Sequence, residues 1–296
     1  MSDGDQQSFV GQSIAEARRA LRGKLERAGL ESASLDARIL ISHALGLDHG
    51  ALIAQAGHVL DPDEATMVVR LAHRRLAREP IARIVGQKEF WGLTFQLNAH
   101  ALVPRPESET VVDAALAAIA EPNARAKPLR VADLGTGSGA LLLALLSELP
   151  NATGVGTDID IAALECARAN AALQHARALF VACNYGSALA PPFDIVVSNP
   201  PYIRSSEIGC LPPEVSEFDP REALDGGEDG LNGYRAVAAD AARLLAPDGI
   251  LVVELGCNQG KAVTSLLQQA GLAAHEPQHD LSGTARALPA GRGLRA

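Results

Sequence analysis

Aromatic side chains are scarce in this chain. Its 296 residues hold one Trp, three Tyr and six Phe, 3% in all. The core must therefore be filled mostly by Ala, Leu, Val and Ile, and each aromatic asks for a reason of its own. Cysteine is also sparse. Cys166, Cys183, Cys210 and Cys257 form no Cys-x-x-Cys pair and have no His-rich run beside them. That argues against a zinc site or a disulfide framework and predicts buried free thiols in a reducing compartment. No metal is expected. Nor is there an uninterrupted apolar run of about 18 residues, the length that marks a membrane span. Residues 1–7 are polar and acidic, where a secretory signal would begin basic and turn apolar. A cytoplasmic chain without membrane contact is the expectation. Positive charge is in the minority, 26 Lys and Arg against 35 Asp and Glu, for a formal net charge of −9. Neutralising phosphates takes Lys and Arg, so no direct nucleic-acid contact is expected.

What is present divides into two periodicities. In residues 12–87, Ile14, Ala17, Leu21, Leu25 and Ala28 recur at three- and four-residue steps and mark one face of a helix that stops at Gly29. A second helix is predicted over 35–45, ending at Gly46. A third begins at Asp61-Pro62-Asp63-Glu64, where Asp61 caps, Pro62 suits the first position and Glu64 reaches back, and it runs to Leu76. Patterning alone leaves open whether this half recognises a partner or packs on the rest. Residues 90–97 alternate and predict a hairpin or linker strand. The two prolines of Pro104-Arg105-Pro106-Glu107 impose an extended segment before a helix over 107–120.

From Leu129 onward, strand and helix alternate. Strands are predicted over 130–134, 153–158, 178–182, 193–198 and 250–255. Helices are predicted over 140–149, 161–173, 234–245 and 259–270, and two closing strands over 273–288. This order indicates an α/β fold, a doubly wound and mostly parallel sheet.

The first strand runs into Gly135-Thr136-Gly137-Ser138-Gly139. Glycines at alternate positions let a ligand approach the backbone, at the strand end where such folds bind ligands. No Lys follows, so this is not a phosphate-binding P-loop. The third glycine also comes one residue early for a dinucleotide fingerprint. Asp133 would sit awkwardly beside a pyrophosphate but suits a ligand with an ammonium and a sulfonium, a description S-adenosylmethionine fits. Asp158, about twenty residues on, is placed to accept both ribose hydroxyls. Asp160 competes for that role and is predicted to cap the helix starting at Ile161.

The buried strand 193–198 ends in Asn199-Pro200-Pro201-Tyr202. The prolines fix the backbone and remove two donors. The side-chain carbonyl of Asn199 and the backbone carbonyl of Pro200 can both accept from one NH2 group, while Tyr202 lies against a planar substrate. An amide nitrogen is a poor nucleophile because its lone pair is delocalised. Two acceptors pin it and favour a more pyramidal nitrogen aimed at the sulfonium methyl. No strong base is needed, since the proton can leave after transfer.

These residues resemble the HemK/PrmC family of protein-glutamine methyltransferases. Gly86-Gln87-Lys88-Glu89-Phe90-Trp91-Gly92-Leu93, Pro104-Arg105-Pro106-Glu107-Ser108-Glu109, Ala223-Leu224-Asp225-Gly226-Gly227 with Gly230-Leu231, Glu254-Leu255-Gly256 and Asp280-Leu281-Ser282-Gly283 extend the likeness over nearly the whole chain. The resemblance implies a seven-stranded Rossmann-like methyltransferase sheet over 107–296, a β-hairpin linker over 88–106 and a small helical N-terminal domain over 1–87. It implies methylation of the glutamine in the Gly-Gly-Gln loop of peptide-chain release factors, with S-adenosyl-L-homocysteine as product, by a monomer acting in translation termination. Alternatives are a ribosomal-protein glutamine methyltransferase and a DNA adenine methyltransferase, the latter needing a basic, duplex-opening surface.

By that likeness Asp133, Gly135, Thr136, Gly137, Ser138, Gly139, Asp158, Asn184, Tyr185 and Asn199 bind the cofactor. Asn199, Pro200, Pro201 and Tyr202 hold the glutamine, with Asn199, Pro200 and Tyr202 carrying the reaction. Tyr185 stands where the family often has an aromatic beside the adenine, Asn184 where an acidic residue is usual, and Ser108 where Thr is expected. Residues 203–233 lack periodicity and are expected to border the acceptor site and to order when a protein loop enters.

Overall fold

The computed structural model describes residues 9–119 and 125–292. Residues 1–7 and Ala120, the last position of the helix expected over 107–120, lie outside them. The chain divides into two compact units, Met1–Gly86 and Gln87–Ala296. No helix among the described residues is long and apolar enough to cross a membrane.

The first unit is helical: α1 Ile14–Arg27, α2 Ala33–Leu45, α3 His49–Ala54, α4 Pro62–Leu76 and α5 Ile81–Val85. Two of these start on capping boxes. Ser13 and Glu16 exchange bonds at the head of α1, and Asp61 and Glu64 do so at the head of α4. Each box satisfies amides that a helix N-terminus leaves without partners. Gly46 closes α2 in the left-handed region, φ 64°. The apolar stripe Ile14, Ala17, Leu21 and Leu25 is buried together with Leu40, Ile41 and Val68. Within this core Arg75 Nε donates to Asp36 Oδ2 at 2.7 Å. The short α3 and α5 offer too few turns to show a period, and no expectation covered them.

The second unit opens with strands β1 Gln87–Phe90 and β2 Leu93–Gln96. They pair antiparallel across Trp91-Gly92, both at positive φ as a two-residue hairpin turn demands. The hairpin packs into this unit's core. Phe90 and Phe95 are buried, edge to face at 6.2 Å, against Val111 and Leu141. Pro106–Ser108 form a 3-10 turn, so α6 begins two residues later than expected, at Glu109–Ala118.

Then come β3 Arg130–Leu134, α7 Ala140–Glu148, β4 Thr153–Asp158, α8 Ile161–Leu173, β5 Ala178–Ala182 and β6 Phe193–Ser198. A short helix α9, Pro213–Ser216, lies in the irregular stretch that follows. The chain closes with α10 Asn232–Leu244, β7 Leu245–Glu254, α11 Gly260–Gln269, β8 Ala273–Ala274, β9 Gln278–His279 and β10 Ala285–Gly291.

The sheet order is β5-β4-β3-β6-β7-β10-β8, with β9 also on β10. Strands β3 to β7 are parallel and β10 is antiparallel to β7. The two expected closing strands are three, because the partner of β10 is interrupted and pairs as β8 and β9 separately. Strand β7 starts five residues before Ile250, bulging over 246–249 to rejoin β6.

Alternation along the strands builds two cores. Val131, Ile195, Val197 and Val252 face α6 and α7, while Ala132, Val196, Leu251 and Val253 face α10 and α11. That is the doubly wound arrangement. Strand order reverses between β3 and β6, so the carboxyl ends of these two strands frame the crevice where such sheets bind ligands.

Candidate active site

The loop after β3 is clasped to the end of β4. The amides of Gly135 and Thr136 both donate to the Thr157 carbonyl, at 2.9 and 2.7 Å, and Gly137 N donates to Asp158 Oδ2 at 2.9 Å. Gly135, Gly137 and Gly139 all take positive φ, 78°, 54° and 84°, a conformation that strains any residue with a Cβ. A Cβ on Gly139 would press on Leu143 and Ala167, whereas one on Gly137 would meet nothing within 4 Å. The absence of a side chain at Gly139 admits close helix packing, and at Gly137 there is room beside the backbone for a ligand.

One cavity is lined by this loop, by Asp133, Thr136, Ser138 and Asp158, by Asn184 and Tyr185, and by Asn199 and Pro201. Asp133 is 1% exposed. Thr136 Oγ1 donates to its Oδ2 at 2.6 Å, and its Oδ1 has no hydrogen-bond partner. Burial pushes its carboxyl up to about 7 against the Thr136 bond. A buried, half-satisfied acid of this kind fits a ligand that brings a cationic donor. Both oxygens of Asp158 accept backbone amides, Gly137 N on Oδ2 and Asp160 N on Oδ1 at 3.0 Å. Each keeps a further lone pair for a ligand hydroxyl.

Asp160 caps α8, accepting from Ala162 and Ala163, and also meets His100 Nδ1 at 2.8 Å. These bonds outweigh burial and hold its carboxyl below the usual range. Tyr185 sits at φ 45° with its phenol pushed up to about 12, by burial and then by Asp158.

At the neighbouring strand end, Ser198 Oγ donates to the Leu134 carbonyl at 2.6 Å and ties β6 to β3. Asn199 follows, and its Nδ2 donates to Ser108 Oγ at 3.3 Å. A second cavity is lined by Leu102, Arg105, Asn199, Tyr202, Ile203, Val215, Ala223 and Leu224. Asn199 therefore borders both cavities, with the glycine loop in one and Tyr202 in the other. Tyr202 Oη donates to Glu254 Oε1 at 3.1 Å, and burial, then Glu254, raise its pKa. The ring of Pro200 is buried and lines neither cavity. A Cβ on Gly233 would come within 2.8 Å of Pro200 Cβ and 2.9 Å of Tyr185 Oη, so that glycine lets α10 seat against the motif.

Several site residues went unassigned in the sequence. Ser108, Glu254 and Arg105 are among them. Arg105 pairs with the buried Asp219 and lines both cavities. The signals for Glu254 were an acid closing an apolar strand and its place in the Glu254-Leu255-Gly256 likeness. His100 carried none. Segment 203–231 borders both cavities and is tied down by Ile203 N to Leu224 O and Gly226 N to Ile203 O, at 3.0 and 2.8 Å. Of the thiols expected to be buried, Cys166 is, Cys183 is half-buried, and Cys210 and Cys257 are exposed. Cys210 closes the 3-10 turn Ile208–Cys210 and Cys257 follows β7, places without the periodicity from which burial can be read.

Residues 16–86 match the PrmC N-terminal domain, and residues 108–210 match the methyltransferase small domain. A release factor glutamine methyltransferase of Bradyrhizobium diazoefficiens is 53% identical over 95% of this chain and 96% of its own. That of Rhodospirillum rubrum is 44% identical over 99% and 92%. Among solved structures, a methyltransferase from Pyrococcus furiosus superposes with TM-score 0.52 at 18% identity, covering 75% of this chain and 98% of its own. At that identity the likeness is one of fold.

Proposed function

Because this chain belongs to the family of release factor glutamine methyltransferases, we propose that it methylates the side-chain amide nitrogen of the glutamine in the Gly-Gly-Gln loop of a release factor, with S-adenosylmethionine as donor. The observation that carries this reading is the place of Asn199, bordering both the glycine-loop cavity and the Tyr202 cavity. An enzyme that joins two ligands needs one residue in reach of both.

S-adenosylmethionine supplies an electrophilic methyl on a sulfonium. The chain's residues do the rest. Asp133 receives the ligand's ammonium, Asp158 its ribose hydroxyls, and Gly137 leaves space for its path; Thr136, Ser138, Asn184 and Tyr185 complete the wall. The acceptor carboxamide enters the second cavity. Its NH2 donates to the Asn199 side-chain carbonyl and the Pro200 backbone carbonyl, Tyr202 shaping the slot and Pro201 lining the cofactor cavity beside it. Those two bonds remove the rotational freedom of the amide and hold its nitrogen toward the methyl. They also stabilise the positive charge that grows on the nitrogen as the new bond forms. The proton then leaves to water.

The test is to incubate the chain with labelled S-adenosylmethionine and, separately, a release factor, a large-subunit ribosomal protein and DNA, and to locate the label by mass spectrometry. Label on the release-factor glutamine is the expected result, and label on either other acceptor alone would overturn it. Asn199→Ala should cut transfer about 100-fold or more, the size of a lost preorganised donor or acceptor, while leaving the circular dichroism spectrum unchanged. Undiminished transfer would remove Asn199 from the reaction.

A further inference from the structure

Methyl transfer to an amide leaves one buried acid of the site without a task. Glu254 ends the apolar run of β7 at 2% exposure, and its Oε2 has no hydrogen-bond partner. Burial raises its pKa, and the Ser108 and Tyr202 hydroxyls beside it oppose that shift. Keeping a carboxyl out of water costs free energy, and its neighbours show what it holds. Tyr202 Oη donates to Oε1 at 3.1 Å. Ser108, 4% exposed, accepts from Asn199 Nδ2 at 3.3 Å.

A carboxamide NH2 can only donate, so Ser108 Oγ must accept from Asn199. With Nδ2 held, the Asn199 carbonyl turns away from Ser108 and is presented to the cavities. The flipped amide would offer NH2 to the acceptor's own NH2, a pair of donors with nothing between them. Tyr202 hangs from the Glu254 carboxyl, so that acid sets a second wall of the acceptor slot.

We infer that Ser108 and Glu254 are positioning residues for methyl transfer, Ser108 holding Asn199 with its carbonyl toward the acceptor amide and Glu254 fixing the Tyr202 ring. The inference rests on the role given to Asn199 above. Ser108 makes no side-chain capping bond to α6, so its replacement does not remove a helix cap.

Ser108→Ala should lower kcat about tenfold, the worth of one well-placed hydrogen bond, with the KM for S-adenosylmethionine within about twofold of wild type. Ser108→Thr, which keeps the hydroxyl, should return kcat to within about threefold. Glu254→Gln, which weakens the bond from Tyr202, should also lower kcat. A kcat within about twofold of wild type for Ser108→Ala or for Glu254→Gln overturns the inference. A second readout needs no acceptor protein. The side-chain amide protons of Asn199, identified in nitrogen-labelled protein by their loss in Asn199→Ala, should exchange with water at least about tenfold faster in Ser108→Ala. Equal exchange overturns the positioning role. If exchange quickens but the wild-type chain labels no release factor, the positioning stands and the proposed substrate falls.

Discussion

At Asp133, burial and hydrogen bonding pull in opposite directions. Burial wins and raises the carboxyl to about 7, so without a cation beside it the group is half-protonated at neutral pH. A cationic ligand favours the ionised form. Affinity for S-adenosylmethionine is therefore full above that value and falls as pH drops through it, by about tenfold between pH 8 and pH 6. Calorimetric titration at the two pH values checks this. Asp133→Asn should bind weakly at both, with the difference gone. The stability of the ligand-free protein runs with the opposite sign. A raised carboxyl contributes stability that is complete below its unfolded value, about 3.9, and is lost as pH rises through the folded value. Thermal unfolding of Asp133→Asn should lack that component.

Among the elements, the irregular segment after β6 decides access to the acceptor slot. It has no long helix or strand to hold it, only 3-10 turns, the four-residue α9 and a few long-range ties. One tie is the ion pair of Arg105 with Asp219, whose side chain is fully buried. Arg105 comes from the extended Pro-Arg-Pro segment and reaches 114 residues along the chain. Arg105 is 37% exposed, so its loss costs this tie about 1.5 kcal/mol, the worth of one charge-assisted hydrogen bond. Arg105→Ala should therefore speed amide hydrogen exchange over residues 215–225 by at least about tenfold and leave β3 and β6 protected. Uniform exchange across the second unit would mean the pair has only a global effect. Release factor should slow exchange over 203–231 in the wild-type chain.

At the scale of the molecule, the two units keep separate cores. The cluster built on Leu21, Leu40 and Val68 contains only first-unit residues, and the two clusters flanking the sheet contain only second-unit residues. Every residue lining either cavity lies between Phe90 and Ala223 or Leu224. A fragment of residues 87–296 should consequently bind S-adenosylmethionine within about threefold of the full chain, as independent sites do, and calorimetry measures this. Should release-factor methylation by that fragment collapse while cofactor affinity holds, the helical unit serves substrate recognition; should both hold, it serves neither.

The local chemistry of the chain was enough for most elements and for both signature motifs. Capping residues at Ser13 and Asp61, glycine stops, strand alternation and the glycine loop act over a few residues, so their consequences are written where they stand. The glycine loop and Asn199-Pro200-Pro201-Tyr202 could be placed at strand ends because parallel strands put loops there. What no local pattern contains is which distant side chains meet. Ser108 beside Asn199 spans 91 residues and Tyr202 beside Glu254 spans 52. Those meetings exist only because the sheet sets β6 next to β7 and the 3-10 turn before α6 brings Ser108 to Asn199. The amino-acid order thus determined the parts and their chemistry. The tertiary structure decided which parts share a hydrogen bond, because contacts between distant residues are set by strand order and packing and leave no period in the sequence.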